Sequence, residues 1–150
     1  MKPVEFKDLP GLVGQEVGVS DWVEITQERV NQFAEATGDH QWIHVDVERA
    51  TAGPFGAPIA HGFLTLSLLP QFFAMAMDIR NSRMGVNYGL NKVRFTAPVP
   101  VGSRLRARLK LLACEAIDND GLQMTWGVAV EREGSDKPVC VAESLARRYP

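Results

Sequence analysis

The second half of the chain alternates apolar and polar residues with a period of two, the spacing of β-strands that bury one face. Residues 104–111 alternate without interruption, and residues 122–130 resume the alternation after a polar turn at residues 118–121. A second turn, at residues 133–136, leads into a final apolar segment that begins at Val139. Because short turns of this kind join antiparallel neighbours, the pattern predicts an antiparallel meander.

The first half of the chain contains a segment with helical spacing. In residues 26–37, apolar residues recur every three to four positions with polar residues between them. Thr26 is suited to cap the start of this helix, and Gly38 is suited to end it. The preceding residues 17–25 alternate in part and predict a strand. We therefore expect a strand and then a helix that ends at Gly38.

A second predicted helix, residues 62–78, is apolar nearly all round, which in a globular protein indicates burial on most sides. Pro70 should kink or interrupt it. A Gly/Pro-rich loop precedes it at residues 52–60. Residues 85–95 follow as a strand whose alternation slips near Gly89, which indicates a β-bulge. Helices on one face of an antiparallel sheet make an α+β fold.

Composition and charge limit the classes of function. The chain has the length of a single domain, residues 1–150. Its formal charge of −2, from 16 basic and 18 acidic residues, predicts no nucleic acid and no membrane partner. No apolar signal segment opens the chain. Cys114 and Cys140 fall in apolar strands, as buried thiols in a reducing compartment do, so a cytoplasmic protein is expected.

The segment TGDHQWIHVD, residues 37–46, holds two of the three histidines together with two aspartates. In a loop, Asp39 and His44 can converge, whereas on a helix residues five apart point about 140° apart. Aspartate is ionised at neutral pH and histidine is largely neutral. Such a pair can hold a water molecule and move its protons. The segment is therefore the predicted site of chemistry.

Several short motifs, taken together, resemble the MaoC-like dehydratase family over about residues 17–147. They are FAEATGD at residues 33–39, His44, IAHGF at residues 59–63 and VRFTAPV at residues 93–99. The family includes the (R)-specific enoyl-CoA hydratases and has the hot-dog fold. The resemblance therefore implies a curved antiparallel sheet wrapped around a central apolar helix.

The resemblance also implies an activity: reversible hydration of a trans-2-enoyl-CoA thioester to the (R)-3-hydroxyacyl product. The family's catalytic residues match Asp39 and His44. Where the family has Asn-Pro between them, this chain has Gln41 and Trp42. Gly62, at the start of the apolar helix, offers an unpaired N–H that could polarise the thioester carbonyl. Coenzyme A is expected only as part of the substrate, with no metal and no other cofactor.

Further residues near these motifs are predicted to contact the substrate: Trp42, His61, Phe63, Asn87 and Tyr88. One row of the apolar helix is expected to be core first and acyl-pocket lining second: Phe63, Leu66, Phe73 and Met77. A curved sheet with free edges also predicts a homodimer or larger homo-oligomer. The family resemblance implies the same, with the active site near the subunit interface.

Other interpretations of these residues remain open. His40, His44 and His61 could be zinc ligands, but Gly38 ends the helix on which a His-x3-His pair binds metal best. His61 can also fill a purely structural position. A hot-dog thioesterase would share the fold, although such enzymes usually place an acid on the central helix, and residues 62–77 contain none. A non-catalytic acyl-thioester binding subunit is a third interpretation. A basic strand face in residues 104–110 is expected to face solvent, or else coenzyme A phosphates.

Overall fold

A six-stranded antiparallel sheet is the largest unit of the computed structural model, which describes residues 1–150. The strands are β1 (Lys2–Glu5), β2 (Glu16–Val19), β3 (Val23–Glu24), β4 (Met77–Arg80), β5 (Met84–Arg94), β6 (Arg104–Ile117), β7 (Gly121–Arg132) and β8 (Cys140–Tyr149). The sheet has the order β2-β6-β7-β8-β5, with β3 also paired to β6. β1 and β4 form a separate parallel pair.

The predicted meander is confirmed in β6, β7 and β8. Asn119 and Asp120 adopt positive φ angles of 60° and 58° in the β6–β7 turn, the conformation that tight hairpin turns require. The alternating apolar residues of β6 are fully buried: Leu105, Ala107, Leu109 and Leu111. In β5 the register with β8 shifts between Asn87 and Gly89, so the predicted bulge is present.

The helices lie on one side of this sheet. They are α1 (Gln27–Thr37), α2 (Trp42–Val45), α3 (Val47–Thr51), α4 (Gly62–Ser67) and α5 (Leu69–Ala76). Both predicted ends of α1 are confirmed. The Thr26 hydroxyl accepts a hydrogen bond from the Arg29 N–H at 3.1 Å. Gly38 ends the helix with a φ of 82°, and its N–H donates to the Ala34 carbonyl at 2.8 Å.

The central apolar helix is interrupted, as Pro70 predicts, because α4 and α5 are separated by Leu68 and the proline lies in the first turn of α5. Phe72, on α5, is fully buried under the sheet. The helix ends at Ala76, two residues earlier than predicted. The following residues pair with β1, and that N-terminal strand was not predicted. None of the helices is long and apolar enough to cross a membrane.

Two expectations for the first half need correction. The segment 37–46 is not wholly a loop, because α2 forms within it and carries His44 on a single helical turn. Phe63 is not a core residue, since 67% of its surface is exposed. Its position next to Gly62, at the open end of α4, leaves it without a covering element.

Candidate active site

His44 is buried and its ring is held in one orientation. Its Nδ1 lies 2.6 Å from the Ile59 carbonyl oxygen. A carbonyl can only accept, so Nδ1 carries the proton and donates it, which leaves Nε2 of the neutral ring as an acceptor. Gln27 Nε2 fixes the backbone by donating to the His44 carbonyl at 2.9 Å. The ring therefore presents a single free nitrogen.

The pKa of His44 is lowered from its usual value of 6.5. Burial is the largest cause, because it disfavours the charged ring. The neighbouring His61 also lowers the pKa of His44, whereas the bond to the Ile59 carbonyl and the charge of Asp39 raise it. The balance favours a neutral imidazole at neutral pH, the form that can accept a proton.

His61 packs directly against His44. The two rings stack with centroids 3.9 Å apart and planes at 25°. Phe33 covers the opposite side of His61 at 4.8 Å. The His61 Nε2 lies 3.0 Å from the Asp39 backbone carbonyl, to which it donates. His61 thus connects the start of α4 to the loop that carries Asp39.

Asp39 is exposed, and its carboxylate accepts a hydrogen bond from the Gln41 N–H at 3.3 Å. A carboxylate oxygen of Asp39 and a ring nitrogen of each of His44 and His61 all lie within 4.8 Å of one another. That separation admits one bridging water molecule with two ordinary hydrogen bonds. Stacked imidazoles direct their lone pairs in nearly parallel planes, which argues against their convergence on a tetrahedral zinc.

The remaining zinc candidate, His40, lies outside this cluster. It is exposed and pairs with Glu35, 3.5 Å from its Nε2. The arrangement therefore separates the two histidines of the segment: His44 faces inward beside Asp39, and His40 faces solvent.

Gly62 begins α4 beside this cluster, and its N–H makes no hydrogen bond within the chain. The space above its Cα is occupied by Phe95, because a Cβ built on Gly62 would lie 2.8 Å from that ring. Phe63 meets Phe95 edge to face, with centroids 5.8 Å apart. Phe95 was not predicted as a site residue, although it lies in the VRFTAPV motif. Its sequence position gives no sign that it reaches the helix start.

A cavity of about 680 Å³ begins one helical turn beyond Gly62, between α4–α5 and the strands β5, β7 and β8. Leu66, Phe73 and Met77, three residues of the row predicted as core first and acyl-pocket lining second, lie in its wall. Their contact with an acyl chain stays a prediction. Asn87 and Tyr88, two predicted substrate contacts, line the cavity at the β5 bulge. The cavity is mostly apolar, which suits an alkyl chain.

Trp42 lies outside the wall of this cavity. The Arg49 guanidinium lies 4.3 Å above its ring, and a Cβ on Gly53 would come within 2.9 Å of it. Trp42 therefore packs against α3 and the residues that follow it. Its predicted contact with substrate stays a prediction.

The basic face of β6 is largely neutralised by glutamates. Arg104 bonds to Glu133 and Arg106 to Glu131, each at 2.8 Å, and Arg108 also bonds to Glu131. These pairs satisfy the expectation of a solvated face. The two cysteines are free, Cys140 fully buried and Cys114 partly so.

Comparisons with known proteins agree with this geometry. The family model described as MaoC like domain matches residues 8–133. The chain is 59% identical over 140 residues to 3-hydroxyacyl-thioester dehydratase Z of Mycobacterium tuberculosis, covering 93% of each chain. It superposes on a monoamine oxidase regulatory protein from Archaeoglobus fulgidus with a TM-score of 0.78 at 25% identity, covering 100% of this chain and 97% of that one.

A second solved structure, R-hydratase PhaJ1 from Pseudomonas aeruginosa, aligns with a TM-score of 0.68 at 26% identity, over 89% of this chain and 79% of that one. The motifs, the sheet wrapped around an interrupted helix, and these likenesses agree. The chain belongs to the MaoC-like dehydratase family, has its hot-dog fold and is a hydro-lyase.

Proposed function

We propose that this protein reversibly hydrates trans-2-enoyl thioesters of coenzyme A to (R)-3-hydroxyacyl-CoA. The observation that carries the proposal is the pairing of Asp39 with His44, a carboxylate oxygen and a ring nitrogen of a neutral imidazole that lie within 4.8 Å of each other. The names of two similar proteins support the substrate class, because one is a 3-hydroxyacyl-thioester dehydratase and the other an R-hydratase.

The chemistry needs no group that the chain lacks. A water held between the Asp39 carboxylate and the free Nε2 of His44 attacks the β-carbon of the enoyl thioester. The double-bond electrons move toward the thioester carbonyl, where negative charge develops on oxygen. The proton lost by the water is accepted at the Asp39–His44 pair and returned to the α-carbon, so atoms and charge balance. Dehydration follows the same steps in reverse.

The charge that develops on the thioester oxygen requires a hydrogen-bond donor. The Gly62 N–H is unpaired and lies at the start of α4, next to His61. One such donor contributes roughly 3 kcal/mol to transition-state stabilisation in comparable sites. Phe95 covers this position, so we expect its ring to move aside when the thioester enters.

Coenzyme A enters this scheme as part of the substrate, and neither a metal nor another cofactor is required. The (R) configuration follows if water attacks only from the side of the double bond that faces Asp39. We infer a role in cytoplasmic fatty acid metabolism, in which such hydroxyacyl and enoyl thioesters interconvert. The stereochemistry is tested by oxidising the product with an (R)-specific or an (S)-specific 3-hydroxyacyl-CoA dehydrogenase.

We also propose that the chain forms a homodimer through β5. This strand is the edge of the sheet, so one side of its backbone is unpaired. Four of its apolar residues are between 43% and 54% exposed: Met84, Val86, Tyr88 and Leu90. A long apolar edge is prone to pair with a second copy of itself.

Light scattering after size-exclusion chromatography tests the homodimer. The wild-type chain should elute as a dimer, and Val86→Asp should shift it toward monomer. Val13→Asp is the matched control, because Val13 is 44% exposed but lies outside β5. If both variants keep the wild-type mass, β5 is not the interface.

The hydration reaction is tested with crotonyl-CoA by following enoyl absorbance and free thiol together. Hydration removes the absorbance without releasing thiol. Thiol release would instead indicate a thioesterase, although α4 and α5 carry no carboxylate to serve one. If neither signal changes, while the acyl-CoA binds, the protein is a non-catalytic acyl-thioester binding subunit.

A further inference from the structure

The cavity beside α4–α5 has two chemically different ends. At one end, Leu66 on α4 and Leu90 on β5 are the wall residues that lie nearest along these elements to Gly62 and Phe95. At the opposite end, Arg148 on β8 enters the cavity wall opposite Gly85, its partner at the start of β5. Every other residue in the wall is uncharged, so Arg148 is the one charged group of this cavity.

The two ends are well separated. On the helix side, Gly62 and Met77 are at most about 22 Å apart, the length of an unbroken helix over these residues, because α4 and α5 are interrupted at Leu68. An acyl chain that starts at Gly62 and follows this cavity therefore reaches Arg148 only when it is long.

The Arg148 guanidinium is held in place but not neutralised. Its Nη1 donates to the Ser82 hydroxyl at 3.3 Å, and its plane lies over Gly85, where a Cβ would come within 3.4 Å of Cζ. No carboxylate lies within 4.0 Å of it, in contrast to Arg104, Arg106 and Arg108 on the outer face.

This environment is costly for a lone cation. Burial lowers the pKa of Arg148, because the charged form loses solvation. An arginine nevertheless stays charged at physiological pH. A partly buried charge without a partner is unfavourable, and an anionic group on a ligand would relieve that cost. The guanidinium plane also suits the two oxygens of a carboxylate.

We propose that Arg148 binds a carboxylate at the far end of a long acyl chain, so that the preferred substrates are enoyl thioesters with a terminal carboxylate. The inference rests on the proposed hydratase function, because the thioester must lie at Gly62 for the tail to reach Arg148. A phosphate of coenzyme A would offer the same chemistry. Thioesters of dephospho-CoA distinguish that source in the test.

The test compares trans-2-hexadecenoyl-CoA with its ω-carboxy counterpart, which has the same length and one added charge. The wild-type enzyme should show a kcat/KM at least about tenfold higher for the carboxylated substrate, the size of a charge-assisted hydrogen bond. Arg148→Met should abolish or reverse this preference while leaving turnover of crotonyl-CoA unchanged. Arg148→Lys, which keeps the charge but not the planar fork, should retain part of it.

Arg83→Met is the matched control, because Arg83 lies at the same end of the molecule but outside the cavity wall. It should keep the full preference. Equal kcat/KM for the two substrates in the wild type would overturn the inference. So would an Arg148→Met defect that appears equally with both substrates and disappears with dephospho-CoA thioesters, since Arg148 would then bind coenzyme A.

A binding measurement separates this inference from the proposed function. The saturated ω-carboxyhexadecanoyl-CoA should bind at least about tenfold more tightly than hexadecanoyl-CoA by calorimetry, and Arg148→Met should remove the difference. If no enoyl thioester is hydrated but the carboxylated acyl-CoA binds more tightly, the proposed hydratase function is wrong. The inference that the protein binds acyl chains with a terminal carboxylate would still hold. If hydration is observed without the difference, only the tail assignment fails.

Discussion

Two sites beside the central helix, the reaction end around His44 and the far end of the cavity at Arg148, are built in different ways. At the reaction end, both histidine rings are held by the chain itself, although the buried Nδ1 of His61 has no hydrogen-bond partner. His44 bonds to the Ile59 carbonyl, and His61 bonds to the Asp39 carbonyl and stacks on His44. At the far end of the cavity, Arg148 has only the Ser82 hydroxyl.

This difference separates catalysis from substrate selection. Groups that move protons must hold one orientation and one protonation state, which fixed partners inside the chain provide. A group that selects among substrates is effective when only the correct ligand can pair with it. A ligand that lacks the carboxylate leaves the Arg148 cation unpaired. Changes at the reaction end should therefore lower kcat, and changes at the far end should alter the preference among substrates.

The largest effect is expected at the reaction end. Asp39→Asn removes a charge at constant shape, and His44→Ala removes the free ring nitrogen. Each should lower kcat for crotonyl-CoA by at least ~10² without unfolding the protein, the usual size of a general acid–base contribution. Steady-state kinetics measure the loss of kcat, and circular dichroism checks that each variant is folded.

The matched control for these variants is His40→Ala, because His40 belongs to the same segment but faces solvent. The His40→Ala variant should keep the wild-type kcat for crotonyl-CoA. If a folded Asp39→Asn or His44→Ala protein has a near-normal kcat, the assignment of that residue as a general acid or base is wrong.

The next effect concerns Gly62. A Cβ there would lie 2.8 Å from the Phe95 ring and would also stand where the thioester approaches the N–H. Gly62→Ala should lower kcat by roughly 10², as loss of one oxyanion donor does, with only a modest fall in melting temperature. Kinetics and thermal unfolding measure the two effects.

Phe95→Ala separates the two causes, because it opens the space above position 62. The double variant Gly62→Ala/Phe95→Ala should stay far below Phe95→Ala alone in kcat. Recovery to the level of Phe95→Ala would mean that ring displacement, rather than a blocked oxygen site, inactivates Gly62→Ala.

Trp42 gives a smaller effect, on stability. It is the first residue of α2, a position that tolerates proline, but its ring packs under Arg49 and over Gly53. Trp42→Pro should therefore lower the free energy of unfolding by roughly 2 kcal/mol, less than for a fully buried aromatic, and leave the pH profile of kcat unchanged.

Chain-length preference decides whether Trp42 also contacts substrate, as the sequence predicts. A preference that shifts between short and long enoyl chains in Trp42→Pro would place the ring in the pocket. Trp42→Phe is the control, because it keeps an aromatic ring beside Arg49.

The smallest effect is the pH dependence contributed by His44. Its pKa is lowered in the folded protein, so the folded state binds fewer protons there than the unfolded chain. The free energy of unfolding should therefore fall as the pH drops from 6.5 toward the lowered pKa, and this group should contribute no slope above that window.

Urea unfolding at several pH values measures this slope. His44→Gln should flatten the slope in that window, while His40→Gln, at an exposed ring, should keep it. Asp39 and His61 face His44 and influence its titration, so the comparison is made in otherwise identical chains. An unchanged slope in His44→Gln would show that another group titrates there.

The sequence by itself determined the elements whose signals are local. Alternation in residues 104–111 predicts a strand because a pleated backbone sends successive side chains to opposite faces. Thr26 and Gly38 mark the ends of α1 because capping and positive φ depend on a few neighbouring residues. The motifs around Asp39 and His44 carry the resemblance to the family, and with it the fold.

Tertiary structure alone decided the contacts between residues far apart in the chain. The stacking of His61 on His44 depends on how the loop between them returns, which no periodicity encodes. Phe95 over Gly62 and Arg148 in the cavity wall likewise depend on where β5 and β8 pass the helix. The central helix ends early because β1, from the opposite end of the sequence, pairs with its last predicted residues. Local sequence sets which conformation each segment prefers, but only packing determines which segments meet.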